Sequence, residues 1–311
     1  MEPLTIRRAV VTGGTGAVGV ALCQHLLDAG VEVWAVVNPA SRRVSNLPRG
    51  ARAVPCDLSA LASLPGLLEG PVDAFFHLGW AHTIGPGRND AAAQVSNVRY
   101  AVDAVHAAKA LGCRVFVGVG SQAEHGPGGG LIRPDTPCAP VNGYGIAKLC
   151  AGQMTRLACS QLGLRHCWVR VLSVYGPYDG PLSVIPTIVT ALLRGEKPSL
   201  TAGEQQWDFL YAGDAARALL AVAQRGRDGA VYPLGSGQTR PLREYFSIAR
   251  DAVDPALPLG LGELPYPPGQ VMLLQADLAA LTADTGFVPR VSFEEGIRST
   301  VAFFRQERLC Q

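Results

Sequence analysis

Tyr144 and Lys148 stand four residues apart in the stretch Asn142-Gly-Tyr-Gly-Ile-Ala-Lys148. A helix closes a turn in roughly 3.6 residues, so the two side chains share one face. A phenol beside an ammonium is a pair suited to proton transfer. The positive charge favours the phenolate and lowers the tyrosine pKa, which gives a group able to donate and accept a proton near neutral pH. Tyr-x-x-x-Lys also arises by chance in many helices, so its meaning depends on what the chain sets beside it. Lysine is rare here: Lys109, Lys148 and Lys197 are the only three.

Composition bounds the answer. The chain has 311 residues, 48% hydrophobic and 17% charged, which suits a compact fold with a large core. A net charge of +2 makes no electrostatic case for nucleic acid or for a membrane surface. The N-terminal Met1-Glu-Pro-Leu-Thr-Ile-Arg-Arg has no apolar signal core, and the apolar run over 182–193 is interrupted by Pro186 and too short to span a bilayer. A cytoplasmic location is expected. The eight cysteines, Cys23, Cys56, Cys113, Cys138, Cys150, Cys159, Cys167 and Cys310, show no paired-ligand spacing and read as reduced structural thiols. His77 and His82 have no carboxylate or cysteine partner nearby in sequence, so no metal site is expected; packing or a substrate contact is the reading for both.

The elements that must position the pair begin at the N-terminus. Ala9-Val-Val-Thr-Gly-Gly-Thr-Gly-Ala-Val-Gly19 starts as a buried strand and ends in a glycine cluster with Gly13, Gly16 and Gly19 three apart; a helical period follows to Gly30. Strand, glycine turn and helix are the context of a dinucleotide fingerprint, in which small residues admit the pyrophosphate to the helix N-terminus. The second strand, 32–37, ends at Asn38, where an acidic residue is usual for NAD; Ser41, Arg42 and Arg43 follow and can pair with a ribose phosphate. This favours NADP, with NAD as the alternative. Asp57, after a short third strand at 51–56, could accept from the adenine amino group or cap the helix that starts near Ala60. The fourth strand is 72–77, with Leu78, Gly79 and Trp80 beyond it. A helix over 89–111 carries an apolar stripe through Ala93, Val98, Ala101, Val102, Val105 and Ala108, and the fifth strand, 114–120, leads to Ser121. This alternation implies a parallel sheet with helices on both faces and a ligand beyond the strands' carboxyl ends.

Residues 124–140, rich in glycine and proline, read as a loop over the site. The Tyr144–Lys148 helix runs to Leu162, closed by Gly163. A sixth strand covers 165–172 and 173–179 leaves it as a turn. A helix over 182–193, a short strand at 199–202, an alanine-rich helix capped by Asp214, a seventh strand at 231–234, a helix over 242–253, a connector over 255–270 and a last helix opened by the Ser292/Glu295 capping box complete the chain. The expected fold is α/β: a doubly wound parallel Rossmann-type sheet of about seven strands with a smaller C-terminal cap. The division is 1–172 for the dinucleotide, with a return segment near 208–235, and 173–207 with 236–311 for the substrate.

Taken together, Thr12-Gly-Gly-Thr-Gly-Ala-Val-Gly19, Phe76-His-Leu-Gly-Trp80, Ser121-Gln-Ala-Glu-His-Gly126, Tyr144-Gly-Ile-Ala-Lys148, Arg170-Val-Leu-Ser-Val-Tyr-Gly-Pro177 and Trp207-Asp-Phe-Leu-Tyr211 with Asp214 resemble the extended short-chain dehydrogenase/reductase family of nucleotide-sugar epimerases, dehydratases and ketoreductases. The resemblance implies that Tyr144 exchanges the proton at a sugar oxygen, that Ser121 holds that oxygen, and that Lys148 depresses the Tyr144 pKa and binds the nicotinamide ribose. It implies a cofactor against Gly13, Thr15, Gly16, Ala17, Val18, Asn38, Arg42, Arg43, Asp57, Leu58, Leu78, Gly79, Trp80, Tyr144, Lys148 and Ser173, and a nucleotide-sugar against His82, Gln122, Ser173 and Trp207. Homodimers through the 89–111 and 143–162 helices are a further implication.

The departures from the pattern narrow the activity. Members that remove water carry an acidic pair just after the serine or threonine. Here those positions are Gln122 and Ala123, and Glu124 comes one residue late, out of register. This argues against a 4,6-dehydratase. The family's asparagine before Tyr-Gly-Pro is Ser173, and its arginine before Asp-Phe is Trp207, which either stacks on a base or fills the cap's core. The leading expectation is an NADP(H)-dependent 4-ketoreductase of a 4-keto-6-deoxy sugar nucleotide. A 4-epimerase with tightly bound NAD is the alternative, and a dinucleotide-sensing protein without turnover is the third.

Overall fold

The computed structural model describes residues 2–309, so Cys310 lies outside it. The chain runs β1 (Arg8–Thr12), α1 (Ala17–Asp28), β2 (Glu32–Val37), β3 (Arg52–Pro55), β4 (Ala74–His77), α2 (Ala91–Ala110), β5 (Val115–Ser121), β6 (Gly130–Ile132), α3 (Gly143–Leu162) and β7 (Arg165–Val171). It continues through β8 (Ser173–Tyr175), α4 (Val184–Leu193), β9 (Gln206–Trp207), β10 (Phe209–Tyr211), α5 (Ala212–Arg225), β11 (Ala230–Leu234), β12 (Arg240–Pro241), α6 (Leu242–Val253), β13 (Leu273–Ala276), α7 (Ala279–Thr285) and α8 (Phe293–Leu309).

Seven strands form one parallel sheet in the order β11-β7-β5-β4-β1-β2-β3. Successive side chains on a strand face opposite ways, and the two cores obey that period. Ala9, Val11, Ala74 and Phe76 pack with Leu22, Leu26, Leu219 and Val222 under α1 and α5. Val10, Phe75 and Phe116 pack on the other face with Ala104, Val105 and Cys159 from α2 and α3. The chain moves from β1 outward to β3 and then returns to β4 on the other side. The reversal lies between β1 and β4, where such sheets open a crevice at their carboxyl ends.

Capping residues set the site helices. Asn142 Oδ1 accepts from the Gly145 amide (2.8 Å) and Gly163 closes α3 in the left-handed conformation at φ 65°. Asp90 opens α2 by accepting from the Ala92 and Ala93 amides. The Ser292/Glu295 box opens α8 as expected.

Several expectations are corrected. Residues 124–140 are not one loop: a 3₁₀ turn over Gln122–Gly128 leads into β6, which joins a second sheet in the order β12-β9-β13-β6. Residues 173–179 do not leave β7 only as a turn, because β8 pairs with β10. Residues 199–202 make a single bridge, Ser199 to Gly260, instead of a strand. Asp214 does not cap α5: its fully buried carboxylate accepts from the Arg290 (2.7 Å) and Val291 (2.8 Å) amides and pairs with Arg217. On α2 the buried set includes the polar Gln94 and Asn97, whereas Ala93, Val98 and Val102 are half-buried. Ile185, Ile188, Tyr245, Phe246, Phe293 and Ile297 form a separate apolar core among α4, α6 and α8. Among the described residues no helix is long and apolar enough to cross a membrane, and no group of three His, Cys, Asp or Glu could hold a metal ion.

Candidate active site

The glycine turn is built for close approach. Gly13 has φ 73°, and a Cβ there would lie 2.8 Å from the Gly79 amide nitrogen. A Cβ at Gly19 would collide with the Gly13 carbonyl oxygen. Gly16 caps α1 with no side chain, followed by Ala17 and Val18, so the first amides of the helix are left to an external acceptor. Thr15 is buried in the turn. Thr12 Oγ1 accepts from the Gly79 amide (3.0 Å) and contacts His77 Nδ1 (3.0 Å), which locks the β4 exit, Leu78-Gly79-Trp80, against the end of β1. These residues fit a dinucleotide pyrophosphate. His77 is thus a packing residue, and burial takes its pKa down to about 3.

At the end of β2, Arg42 and Arg43 are exposed. Asn38 Oδ1 accepts from the Ala40 amide (2.8 Å), and its Nδ2 donates to Asp57 Oδ2 (2.7 Å). Asp57 also accepts from the Ser59 amide (2.9 Å), so it caps the 3₁₀ segment Leu58–Leu67.

Ser121, Tyr144 and Lys148 converge beyond β5. The Ser121 hydroxyl accepts from the Ala123 amide (3.2 Å) and lies close enough to the Tyr144 phenol to lower its pKa. Lys148 is buried, and its Nζ donates to the Val119 carbonyl (2.6 Å) and lies 3.9 Å from the Trp80 ring centre but 5.9 Å from that of Tyr144. Trp80 meets Tyr144 edge-on at 6.1 Å. The expected electrostatics are corrected here. Burial raises the Tyr144 pKa, opposed by the neighbouring Ser121 hydroxyl and by Arg88, whose guanidinium stands 4.3 Å above the ring. Burial also lowers Lys148 to about 7, opposed by Glu124. Desolvation is the larger effect at both groups, and the ammonium is engaged by the Trp80 ring and the Val119 carbonyl.

Sequence reasoning missed four contributors. Arg88 carries no signal in its neighbours. Gln94 and Asn97 fasten the 80–87 segment to α2: Gln94 accepts from Trp80 Nε1 (2.9 Å), and Asn97 makes two bonds with the Ala81 backbone (2.9 Å each). Glu124 was discoverable, since Ser-x-x-Glu is a capping-box pattern; it forms that box with Ser121. Gln122 opens the same turn, half-buried. His82 stands apart, exposed at φ 59° with its ring against Gly87.

Trp207 and Ser173 face each other, with Trp207 Nε1 donating to Ser173 Oγ (2.8 Å). Both line a cavity of about 520 Å³ with Asp179, Gln205, Phe209 and Gln270. Ser121 pairs with Val171 across β5 and β7, so Ser173 leaves the sheet at the edge that carries Ser121.

The model of the NAD-dependent epimerase/dehydratase family matches residues 9–235. The chain belongs to that family. The extended short-chain dehydrogenase/reductase resemblance and its Rossmann-type sheet are thereby established. A dTDP-glucose 4,6-dehydratase of Streptomyces niveus is 30% identical over 176 residues, 56% of this chain and 52% of that protein. The chain thus spans about half the length of the first curated relatives it matches. Among solved structures, a UDP-glucose 4-epimerase of Thermotoga maritima is 24% identical with a TM-score of 0.84, covering 97% of this chain and 99% of its own. The RMD of Pseudomonas aeruginosa complexed with NADPH is 22% identical with a TM-score of 0.82, covering 97% and 99%. Both share the fold of this epimerase/dehydratase family member.

Proposed function

We propose that this protein is an NADP(H)-dependent reductase of a keto group on a nucleotide-linked sugar, a 4-ketoreductase of a 4-keto-6-deoxy sugar nucleotide. The observation that carries this is the Ser121 hydroxyl set beside the Tyr144 phenol at the end of β5, with burial raising the Tyr144 pKa so that the phenol keeps its proton. A protonated phenol donates, and reduction of a ketone needs a proton delivered to its oxygen. Ser121 holds that oxygen and Lys148 the ribose of the nicotinamide. When bound, the dinucleotide supplies the hydride. The glycine turn with Ala17 and Val18 takes its pyrophosphate; Leu58, Leu78, Gly79, Trp80 and Ser173 flank it. The substrate enters against Ser173 and Trp207 in the part built from 173–207 and 236–311 and against Gln122 and His82 of the part, 1–172 with 208–235, that holds the cofactor. Dehydration is disfavoured. Gln122 and Ala123 cannot serve as acids, and the Glu124 carboxylate is committed to Ser121, Trp168 and Arg170.

The test is NADPH consumption against a panel of nucleotide 4-ketosugars. No turnover with any of them would remove the reading. A second reading, 4-epimerisation with retained NAD, draws on Asp57, whose carboxylate beside Asn38 offers an acceptor to a ribose hydroxyl. The Arg42→Ala/Arg43→Ala variant separates the cofactors. NADPH affinity should drop about tenfold or more, the scale of one lost charge-assisted hydrogen bond, with NADH little changed. Equal NADPH affinity in both proteins would favour NAD.

The homodimer belongs to the same proposal. Ile146, Cys150, Met154 and Leu157 form an exposed stripe along α3, and Val95 is 68% exposed on α2. Sedimentation should show a dimer that Met154→Glu with Leu157→Glu converts to monomer; a monomeric wild-type protein at micromolar concentration rules this out.

A further inference from the structure

Glu124 is shielded from solvent completely, three residues beyond Ser121. Its Oε1 accepts from the Ser121 amide (2.8 Å) and from Trp168 Nε1 (3.1 Å), and its Oε2 accepts from Arg170 Nε (2.7 Å). Arg170 is itself only 7% exposed, and its Nη1 lies 3.5 Å from His125 Nε2. Two glycines make the room. A Cβ at Gly120 of β5 would collide with Glu124 Oε1 and Trp168 Nε1, and a Cβ at Gly152 of α3 would lie 2.8 Å from the Trp168 ring. A charged pair is thereby inserted between the strand end that carries Ser121 and the helix that carries Tyr144 and Lys148. Buried ion pairs add little net stability compared with well-packed apolar groups, so stability alone is a weak reason for this one.

We propose that Glu124, held by Arg170, is a positioning residue for the Ser121–Tyr144–Lys148 site: it fixes the backbone that aims the Ser121 hydroxyl and sets a buried carboxylate beside the pair. This rests on Tyr144 as the proton-transfer group. The charges around the pair support it. Glu124 pushes Tyr144 up and Lys148 up. The neighbouring Ser121 hydroxyl and Arg88, from the turn after β4, push Tyr144 down. Lys148 is 5.9 Å from the Tyr144 ring, and the other titratable group facing Lys148 is His77 of β4, which is buried and neutral. Glu124 is the negative charge that acts on both members. Removing it leaves Arg170 uncompensated, so both effects run the same way: proton affinity falls at Tyr144 and at Lys148.

The test reads the phenol directly and needs no substrate. Tyrosinate absorbance after a rapid pH jump, taken in full-length protein and again with Tyr144→Phe, isolates Tyr144 by difference. Glu124→Gln is expected to lower the Tyr144 midpoint by about one pH unit, a tenfold loss of proton affinity. An unchanged midpoint in folded Glu124→Gln overturns the proposal. Glu124→Asp keeps the charge and withdraws the carboxyl by one methylene. Its midpoint should stay near the wild-type value, while its rate with a nucleotide 4-ketosugar falls tenfold or more as the Ser121 amide loses its partner. If Asp shifts the midpoint as far as Gln, or retains the wild-type rate, the proposal fails. Should Glu124→Gln not fold, Glu124→Asp decides alone. A protein inactive on every ketosugar would remove the proposed function and leave the titration test standing.

Discussion

Tyr144→Phe is expected to lower the rate of ketosugar reduction by about a thousandfold, within the range spanned by loss of a positioned general acid. NADPH binding should change little. The substitution deletes one oxygen and leaves the ring between Trp80, edge-on at 6.1 Å, and the Arg88 guanidinium at 4.3 Å, so the packing that shapes the pocket survives. Ser121 keeps its bond from the Ala123 amide, so its position should hold. Single-turnover oxidation of NADPH, paired with fluorescence titration of cofactor binding, separates the two effects. A variant within tenfold of the wild-type rate would show that Tyr144 does not deliver the proton.

The second large effect is expected at Asp208, which no chemistry requires. Asp208 is fully buried at the junction of β9 and β10. Its carboxylate accepts from the Ser236 amide (2.5 Å) and hydroxyl (2.7 Å), the Gly237 amide (3.0 Å) and the Ala276 amide (3.0 Å). One side chain therefore ties the strand carrying Trp207 to the turn after β11 and to β13. Asp208→Ala would leave one buried and two half-buried amides without an acceptor, at roughly 1–3 kcal/mol each before relaxation, and the expected net loss is about 3–5 kcal/mol. The denaturant midpoint measures it. The cavity walled by Trp207 and Ser173 should loosen too, so substrate KM should rise in whatever fraction stays folded. A loss below about 1 kcal/mol would mean that water replaces the carboxylate and that the junction is not held this way.

Much of the architecture was legible because its causes are local. Alternating apolar residues at 9–11 and 74–76 place side chains on the two faces of a sheet whatever lies elsewhere in the chain. Asn142 and Gly163 bound α3 through their own backbone neighbours, and the positive φ of Gly13 is a property of one residue. Ser292 and Glu295 cap each other across three residues. The convergence of the glycine turn, Ser121 and the Tyr144–Lys148 helix at one sheet edge also followed from sequence, since parallel connections bring all carboxyl ends to the same side.

What remained illegible depends on partners far away in the chain. The three-residue strands β6 and β8 have too few positions to show a period, and each exists because β13 or β10 pairs with it from far along the chain. Asp57 and Asp214 each had a plausible local role; the first kept it, and the second was taken by the amides of 290 and 291. Glu124 looked like the start of a loop until Arg170 and Trp168, arriving on β7, supplied donors for a carboxylate that could not otherwise be buried. The amino-acid sequence by itself determined that a phenol and an ammonium would share one helix face beside a dinucleotide turn. Only the tertiary structure decided the direction of their pKa shifts, because that sign is set by the balance of desolvation against nearby charge. That balance needs the depth of Tyr144 and the direction of the Lys148 ammonium, and neither is encoded by spacing.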